Sequence, residues 1–252
     1  MVSSYPETLA VVEYHLWDEY ATLYGDARAE FYSVGDEGVP WFGYDGLFNA
    51  WPITTYVVKF AARQSIPTPV IMQAGFVPLG GDQYRVQIRT CLEESASPVT
   101  LRIYAVVVED RYPPDPNYSR NSFRLATATT DIVLTPGQCQ LELRDVTVDS
   151  AWEVSNLGAV VWAQQPLDHY PAEVYQAAKS LWPFRGLVIP GDLNCDGLLT
   201  FDDINPFVLA LSDPVAYEAQ YPHCHLANGD CDFDFDVDFD DINYFVALLS
   251  GS

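Results

Sequence analysis

The chain has 252 residues, 49% hydrophobic and 14% aromatic, which is enough apolar material for two or three packed cores. Its 35 acidic residues against 12 basic ones give a net charge of −23, which repels nucleic acid and anionic membrane surfaces. No apolar run approaches the roughly 20 residues that a helix needs to span a bilayer.

The chain opens without the basic n-region and apolar h-region of a signal peptide, and it reads as a mature or truncated form of an extracellular or cell-surface protein only because of the calcium motifs of its last segment, described below. The apolar run from Leu9 to Leu16 predicts a buried strand, and Ala21 to Tyr32 repeats apolar residues at helical spacing. Gly38 to Gly46 reads as a strand ending in an Asp-Gly turn, and a second helix is expected over about Ile53 to Gln64. This order resembles thioredoxin-like domains over about Leu9 to Ile71. The resemblance implies a cis proline before the third strand, which would be Pro40. A thioredoxin-type enzyme needs a low-pKa thiolate in a CysXXCys pair. Here His15-Leu16-Trp17-Asp18 follows the first strand and no cysteine precedes Cys91, so residues 1–74 are expected to be a redox-silent α/β scaffold.

From about Gly75 to Gln165 the pattern becomes strands. Tyr84 to Thr90 alternates cleanly, Leu101 to Asp110 and Phe123 to Leu134 are rich in β-branched residues, and Gln140 to Val148 alternates again. Turn residues separate them, so residues 75–188 are expected to form an antiparallel, β-sandwich-like domain. Glu173 to Trp182 predicts a short amphipathic helix, and Pro183 to Pro190 a linker. Asn117-Tyr118-Ser119 matches a glycosylation sequon.

The last segment, residues 189–252, contains no Lys or Arg and carries a duplicated acidic motif. Oxygen-bearing residues fall at positions one, three, five, nine and twelve of each copy, the spacing of a twelve-residue calcium loop. Calcium takes six to eight oxygens at roughly 2.3 to 2.6 Å, and a chain supplies them by curling around the ion. In the first copy the ligands would be Asp192, Asn194, Asp196, the Leu198 carbonyl, Thr200 and Asp203, with Gly197 at the sixth position, where the turn wants positive φ. In the second they would be Asp230, Asp232, Asp234, Asp236, Asp238 and Asp241, with Phe235 at the sixth position. A bulky residue there costs roughly 1 kcal/mol or more. The alternation from Cys231 to Phe239 also permits a strand, with one row of carboxylates bridged by cations.

Each motif runs into an apolar helical segment, from Ile204 and from Ile242. The pair resembles type I dockerin domains over about Pro190 to Leu249. The resemblance implies an α-helical module of two loop-plus-helix (F-hand) repeats that holds two Ca2+ ions and docks a cohesin-like partner in extracellular assembly. Phe201-Asp202 and Phe239-Asp240 stand where well-studied dockerins often carry small hydroxyl residues, so the identity of the partner does not carry over.

Among the five cysteines, Cys91 with Cys139 and Cys195 with Cys224 are plausible disulfides, leaving Cys231 unpaired. His15, His169, His223 and His225 are accompanied by no Ser in a strand-turn-helix elbow, and no carboxylate pair stands out among so many. His223-Cys224-His225 reads as a polar turn or disulfide corner more readily than as a metal site. No catalytic residue is assigned. The expected function is a secreted, non-catalytic protein that mediates calcium-dependent assembly through its tail. The alternative is a self-assembling surface polymer of copies of this chain, and a divergent thiol oxidoreductase is more remote.

Overall fold

A computed structural model describes residues 10–16, 18–34, 42–44, 46, 48–50, 56–112 and 120–251. These form a mixed α+β structure, in which antiparallel strands fill the middle of the chain and short helices its C-terminal part. The chain divides into two compact units, one of Met1–Gln73, Ile88–Glu142 and Trp152–Lys179, the other of Ala74–Gln87, Leu143–Ala151 and Ser180–Ser252.

In the first unit, helix α1 (Leu23–Phe31) starts at Thr22, whose Oγ1 accepts the Gly25 N–H at 3.0 Å and satisfies one of the free donors of the first turn. Strands β1 (Phe42–Tyr44) and β2 (Phe48–Ala50) pair antiparallel, and helix α2 (Tyr56–Gln64) follows. The main sheet is built on β5 (Val99–Glu109), which pairs on one side with β9 (Leu157–Gln164) and on the other with β6 (Ser122–Ala126) and then β7 (Thr130–Leu134). Strand β10 (Val174–Leu181) lies outside β9. Every residue of β9 is buried, as its unbroken apolar run Leu-Gly-Ala-Val-Val-Trp-Ala requires. Val106, Val108, Phe123, Val160 and Trp162 make the core there. Cys91 and Cys139 are disulfide-bonded, as their pairing in the sequence suggested.

Two expectations fail in this unit. Residues 10–16 form no strand: Glu13 alone bridges Ser122, its N–H donating to the Asn121 carbonyl and its carbonyl accepting from Phe123. The run is apolar because Val12 and Tyr14 pack on the core cluster, so burial without a ladder produced the strand pattern. Without that strand, the described part of residues 1–74 is helix, hairpin, helix and the strand that begins at Val70, and a thioredoxin-like fold is not shown there. Pro40 and the sequon at Asn117 lie outside the described residues. Glu173 to Trp182, predicted as a helix, is mostly strand β10. A helix of that length is marginal on its own, and the open edge of β9 offers a full ladder instead.

The second unit contains one end of the sheet β3 (Val70–Gly80), β4 (Gln83–Leu92) and β8 (Cys139–Thr147), together with everything from Ser180 onward. Phe76, Tyr84 and Phe184 pack there with ring centroids 4.8 to 5.7 Å apart. The expected linker is therefore packed chain: Phe184 and Leu187 are buried, and the Gly186 N–H donates to the His223 carbonyl at 2.9 Å. Beyond it come α3 (Ile204–Ser212), α4 (Pro214–Gln220) and α5 (Asp241–Leu249). Helix α4 was not anticipated, although Asp213 before Pro214 is a start signal: the Asp213 carboxylate accepts the Ala216 N–H at 3.0 Å. Leu193, Phe207, Ala210, Tyr217, Cys231 and Phe245 form the core of these helices, beside the Cys195–Cys224 disulfide.

Candidate metal centre

The acidic repeats curl into two loops whose internal hydrogen bonds correspond position for position. In the first, Asp192 Oδ2 accepts from Gly197 N–H (2.9 Å), Asn194 Oδ1 from Asp196 (2.8 Å) and Asp196 Oδ1 from Leu198 (2.8 Å). Asp203 reaches back with both oxygens, to Asn194 N–H at 3.0 Å and Thr200 N–H at 2.9 Å, and Thr200 Oγ1 accepts from Asp202 at 3.2 Å. The second loop repeats all six. Asp230 Oδ2 accepts from Phe235 (3.2 Å), Asp232 Oδ1 from Asp234 (3.2 Å) and Asp234 Oδ1 from Asp236 (3.1 Å). Asp241 accepts from Asp232 (3.2 Å) and Asp238 (2.9 Å), and Asp238 from Asp240 (2.7 Å).

The backbone follows the same plan. Gly197 at the sixth position has φ +84° and Phe235 has φ +76°, while Cys195 and Phe233, both at the fourth, have φ +60° and +66°. Residues 231–239 therefore form a loop in the register of the first, and the alternative strand is not formed. A glycine precedes each loop for a shared reason: a Cβ on Gly191 would lie 2.7 Å from Leu199 Cδ1, and one on Gly229 2.7 Å from Val237 Cγ1. The apolar residue at the eighth position folds over that glycine in both copies.

The two loops differ in burial at the first position, where Asp192 is fully buried and Asp230 half-buried, while Asp203 and Asp241 at the twelfth are buried in both. At the sixth position of the second loop Phe235 is 96% exposed. Asp192 Oδ1 is buried with no hydrogen-bond partner. Burial, with Asp203 and Asp196 nearby, pushes the Asp192 carboxyl up to about 7, and burial raises that of Asp203 as well. Asp232 and Asp236 are also raised, Asp236 chiefly by the charge of Asp234. Carboxylates crowded this way are short of positive charge, and a hard divalent cation supplies it. In the second loop, ligand atoms of Asp230, Asp232 and Asp234 lie within 4.8 Å of one another, close enough to share one ion. The Leu198 side chain faces outward, leaving its carbonyl as its contribution to a site, and Asp236 occupies the same seventh position.

Several residues outside the motif hold the first loop. The Tyr217 hydroxyl donates to the Leu193 carbonyl at 2.9 Å, and Asn228 Nδ2 donates to that of Asp192 at 2.5 Å. From the sheet, Arg85 and Gln87 donate to the carbonyls of Asp196 and Cys195. No local sequence signal marks these four, because each acts across 24 to 111 residues of chain. His223 gives its Nδ1 to a hydrogen bond with the Phe184 carbonyl at 3.0 Å, and Cys224 is disulfide-bonded, so that triplet is a disulfide corner.

No protein-family model and no curated protein matches the chain. Among solved structures it is similar to HBP35 of Porphyromonas gingivalis, at 9% identity and TM-score 0.49, over 62% of this chain and 57% of that one. It is also similar to a domain of the outer membrane lipoprotein Omp28 from the same organism, at 14% identity and TM-score 0.35, over 46% of this chain and 91% of that one. Protein AGR_C_4864 from Agrobacterium tumefaciens matches at 15% identity and TM-score 0.38, over 67% and 75% of the two chains. The chain thus spans little more than half the length of HBP35, and at these values no activity transfers from any of the three.

Proposed function

We propose that the chain is a non-catalytic, extracytoplasmic calcium-binding protein whose dockerin-like tail, paired F-hand repeats with one Ca2+ each, mediates calcium-dependent assembly. The observation that carries this reading is the sixfold correspondence of hydrogen bonds between the loops, which supports the same ligand register on both acidic motifs. Asp192 Oδ1, buried and unpartnered, supports it from the first loop, and the Asp230, Asp232 and Asp234 cluster from the second. Two disulfides agree with an oxidising compartment. Among the described residues no helix is long and apolar enough to cross a membrane.

The helices suggest how the tail docks. Phe201, Ile204 and Val208 are exposed along one side of the first repeat, and Phe239, Ile242 and Val246 occupy the equivalent positions of the second. Both stripes lie in a segment without Lys or Arg, so a partner that suits them, cohesin-like or otherwise, would offer apolar surface rimmed by basic residues. Two such acidic tails repel each other, which places self-assembly second. Calorimetric titration of the full chain is expected to show two calcium ions bound, and light scattering a monomer with or without calcium. Failure to bind calcium would remove the reading, and calcium-driven polymers would favour assembly of this chain with itself.

A further inference from the structure

The two loops share a backbone plan, yet different things hold them. Gln87, wholly buried on β4, donates Nε2–H to the Cys195 carbonyl at 2.9 Å and accepts the Leu187 N–H at 2.7 Å. Arg85, two residues away and so on the same face of the strand, donates Nη1–H to the Asp196 carbonyl at 2.6 Å. Its Nε and Nη2 are anchored on Asp145 of β8 at 2.6 and 2.9 Å. These carbonyls belong to positions four and five, beside the positive-φ residues Cys195 and Gly197 that turn the ligand side chains inward. Gly197 sits against the same sheet, since a Cβ there would meet Leu143 Cδ2 at 2.7 Å. The second loop has nothing comparable from the sheet: among the described residues its aspartate hydrogen bonds stay within the loop, its one side-chain bond outward runs from Cys231 Sγ to the nearby Asn228 carbonyl, and Phe233 and Phe235 are exposed.

We propose that Arg85 and Gln87 are positioning residues for the first calcium loop, holding its turn at positions four to six before the ion arrives, so that the two sites are not equivalent. This rests on the calcium reading above. The first site is a preformed cradle on the end of the sheet, and its ion enters without first having to order the chain. The second loop carries more aspartates, strains Phe235, and gains its order with the ion. The positive charge of Arg85 by itself opposes a cation in the first loop, so its contribution to the site comes from the hydrogen bond to the Asp196 carbonyl. Calcium concentration would therefore govern the order of residues 230–241, while residues 192–203 stay ordered.

Hydrogen exchange on the full chain in EDTA tests this. Residues 192–203 are expected to exchange slowly and residues 230–241 fast. Gln87→Leu and Arg85→Met should each speed exchange of the first loop. Each should also weaken first-site calcium affinity about tenfold, the size of one lost charged or buried hydrogen bond, when measured in an Asp241→Ala background. Second-site affinity, measured with Asp203→Ala, should not move, which separates positioning from a general loss of stability. Arg85→Lys keeps a donor for the Asp196 carbonyl without the fork on Asp145 and should recover part of the loss. If Gln87→Leu does not fold, the Arg85 variants decide the matter alone. Equal exchange of both loops in EDTA, or unchanged first-site affinity in the Arg85 variants, overturns the proposal. A wild-type chain that takes up no calcium would sink the calcium reading. The exchange data would then still uphold the clamp if residues 192–203 stay slow only while Arg85 is present, and overturn it if they do not.

Discussion

The rings of Phe207 and Phe245 stack with centroids 4.1 Å apart and planes 13° from parallel. Each stands fifteen residues beyond the first aspartate of its repeat, Asp192 or Asp230, so equivalent residues of the two copies meet face to face. Contact between like positions is what two-fold pairing of a duplicated element produces. It joins the helices behind both loops into one core and makes each loop a neighbour of the other's stability.

Truncating either ring should therefore disturb both repeats. Phe207→Ala and Phe245→Ala are each expected to cost about 3–5 kcal/mol in the calcium-loaded protein, because both rings are buried. The double variant should cost less than the sum, since each single change already empties the shared contact. Urea denaturation followed by helical circular dichroism measures all three, and strict additivity would contradict a shared core.

The ligand register makes sharper demands. Asp192→Ala and Asp203→Ala should abolish the first site, whereas Asp202→Ala, at the eleventh position, should leave it nearly intact. Asp241 and Asp240 should divide in the same way in the second loop. Calorimetric stoichiometry falling from two to one in the ligand variants, and staying at two in the others, is the expected outcome. Equal losses at positions eleven and twelve would mean that the loops are read in the wrong register.

Phe235 holds φ +76° with its ring exposed, so it bears backbone strain with little packing in return. Replacing it by the residue found at the same position of the first loop, Phe235→Gly, should relieve about 1 kcal/mol and tighten the second site about fivefold. Calcium affinity in an Asp203→Ala background reads this directly. A weaker second site would show that the ring contributes contacts that outweigh the strain.

The loops were legible in the sequence because what shapes them is local: twelve consecutive residues carry the whole pattern, and Gly197 marks its turn. Strands β4, β5 and β8 were legible for a similar reason, since their alternation or β-branching lies within one segment. What failed was decided elsewhere in the chain. Residues 10–16 look like a strand because they cover a core, and β10 is a strand because β9 leaves it an edge. Arg85 and Gln87 carry no local mark at all. In the sequence they are polar residues of an alternating strand, and only the fold brings the acidic loop to them, 111 and 108 residues later.

Asp192 sets the pH dependence of the calcium-free protein. Its carboxyl is pushed up to about 7 in the folded chain by burial and by the charges of Asp203 and Asp196, against an unfolded value near 3.8. A carboxyl raised on folding favours the folded state when protonated, so its contribution is full below about pH 4 and is lost as pH rises through about 7. Asp203 is shifted in the same direction. The aspartates held down by arginine, Asp131 and Asp145, act with the opposite sign, but below their unfolded range and so outside this window. His225, lowered by burial, opposes the trend as pH falls, which makes the Asp192→Asn comparison necessary. In EDTA the wild type is expected to melt higher at pH 5 than at pH 8, and Asp192→Asn to lose most of that difference, the remainder coming from Asp203, Asp232 and Asp236. Calcium reverses the sign, because the ion needs the carboxylate that the apo fold disfavours: affinity should rise from pH 5 to pH 8, with protons released on binding. Thermal melts at the two pH values, with titrations in buffers of different ionisation enthalpy, check both halves. A calcium-free melt as low at pH 5 as at pH 8 would mean that Asp192 is not the buried carboxyl the first loop closes around.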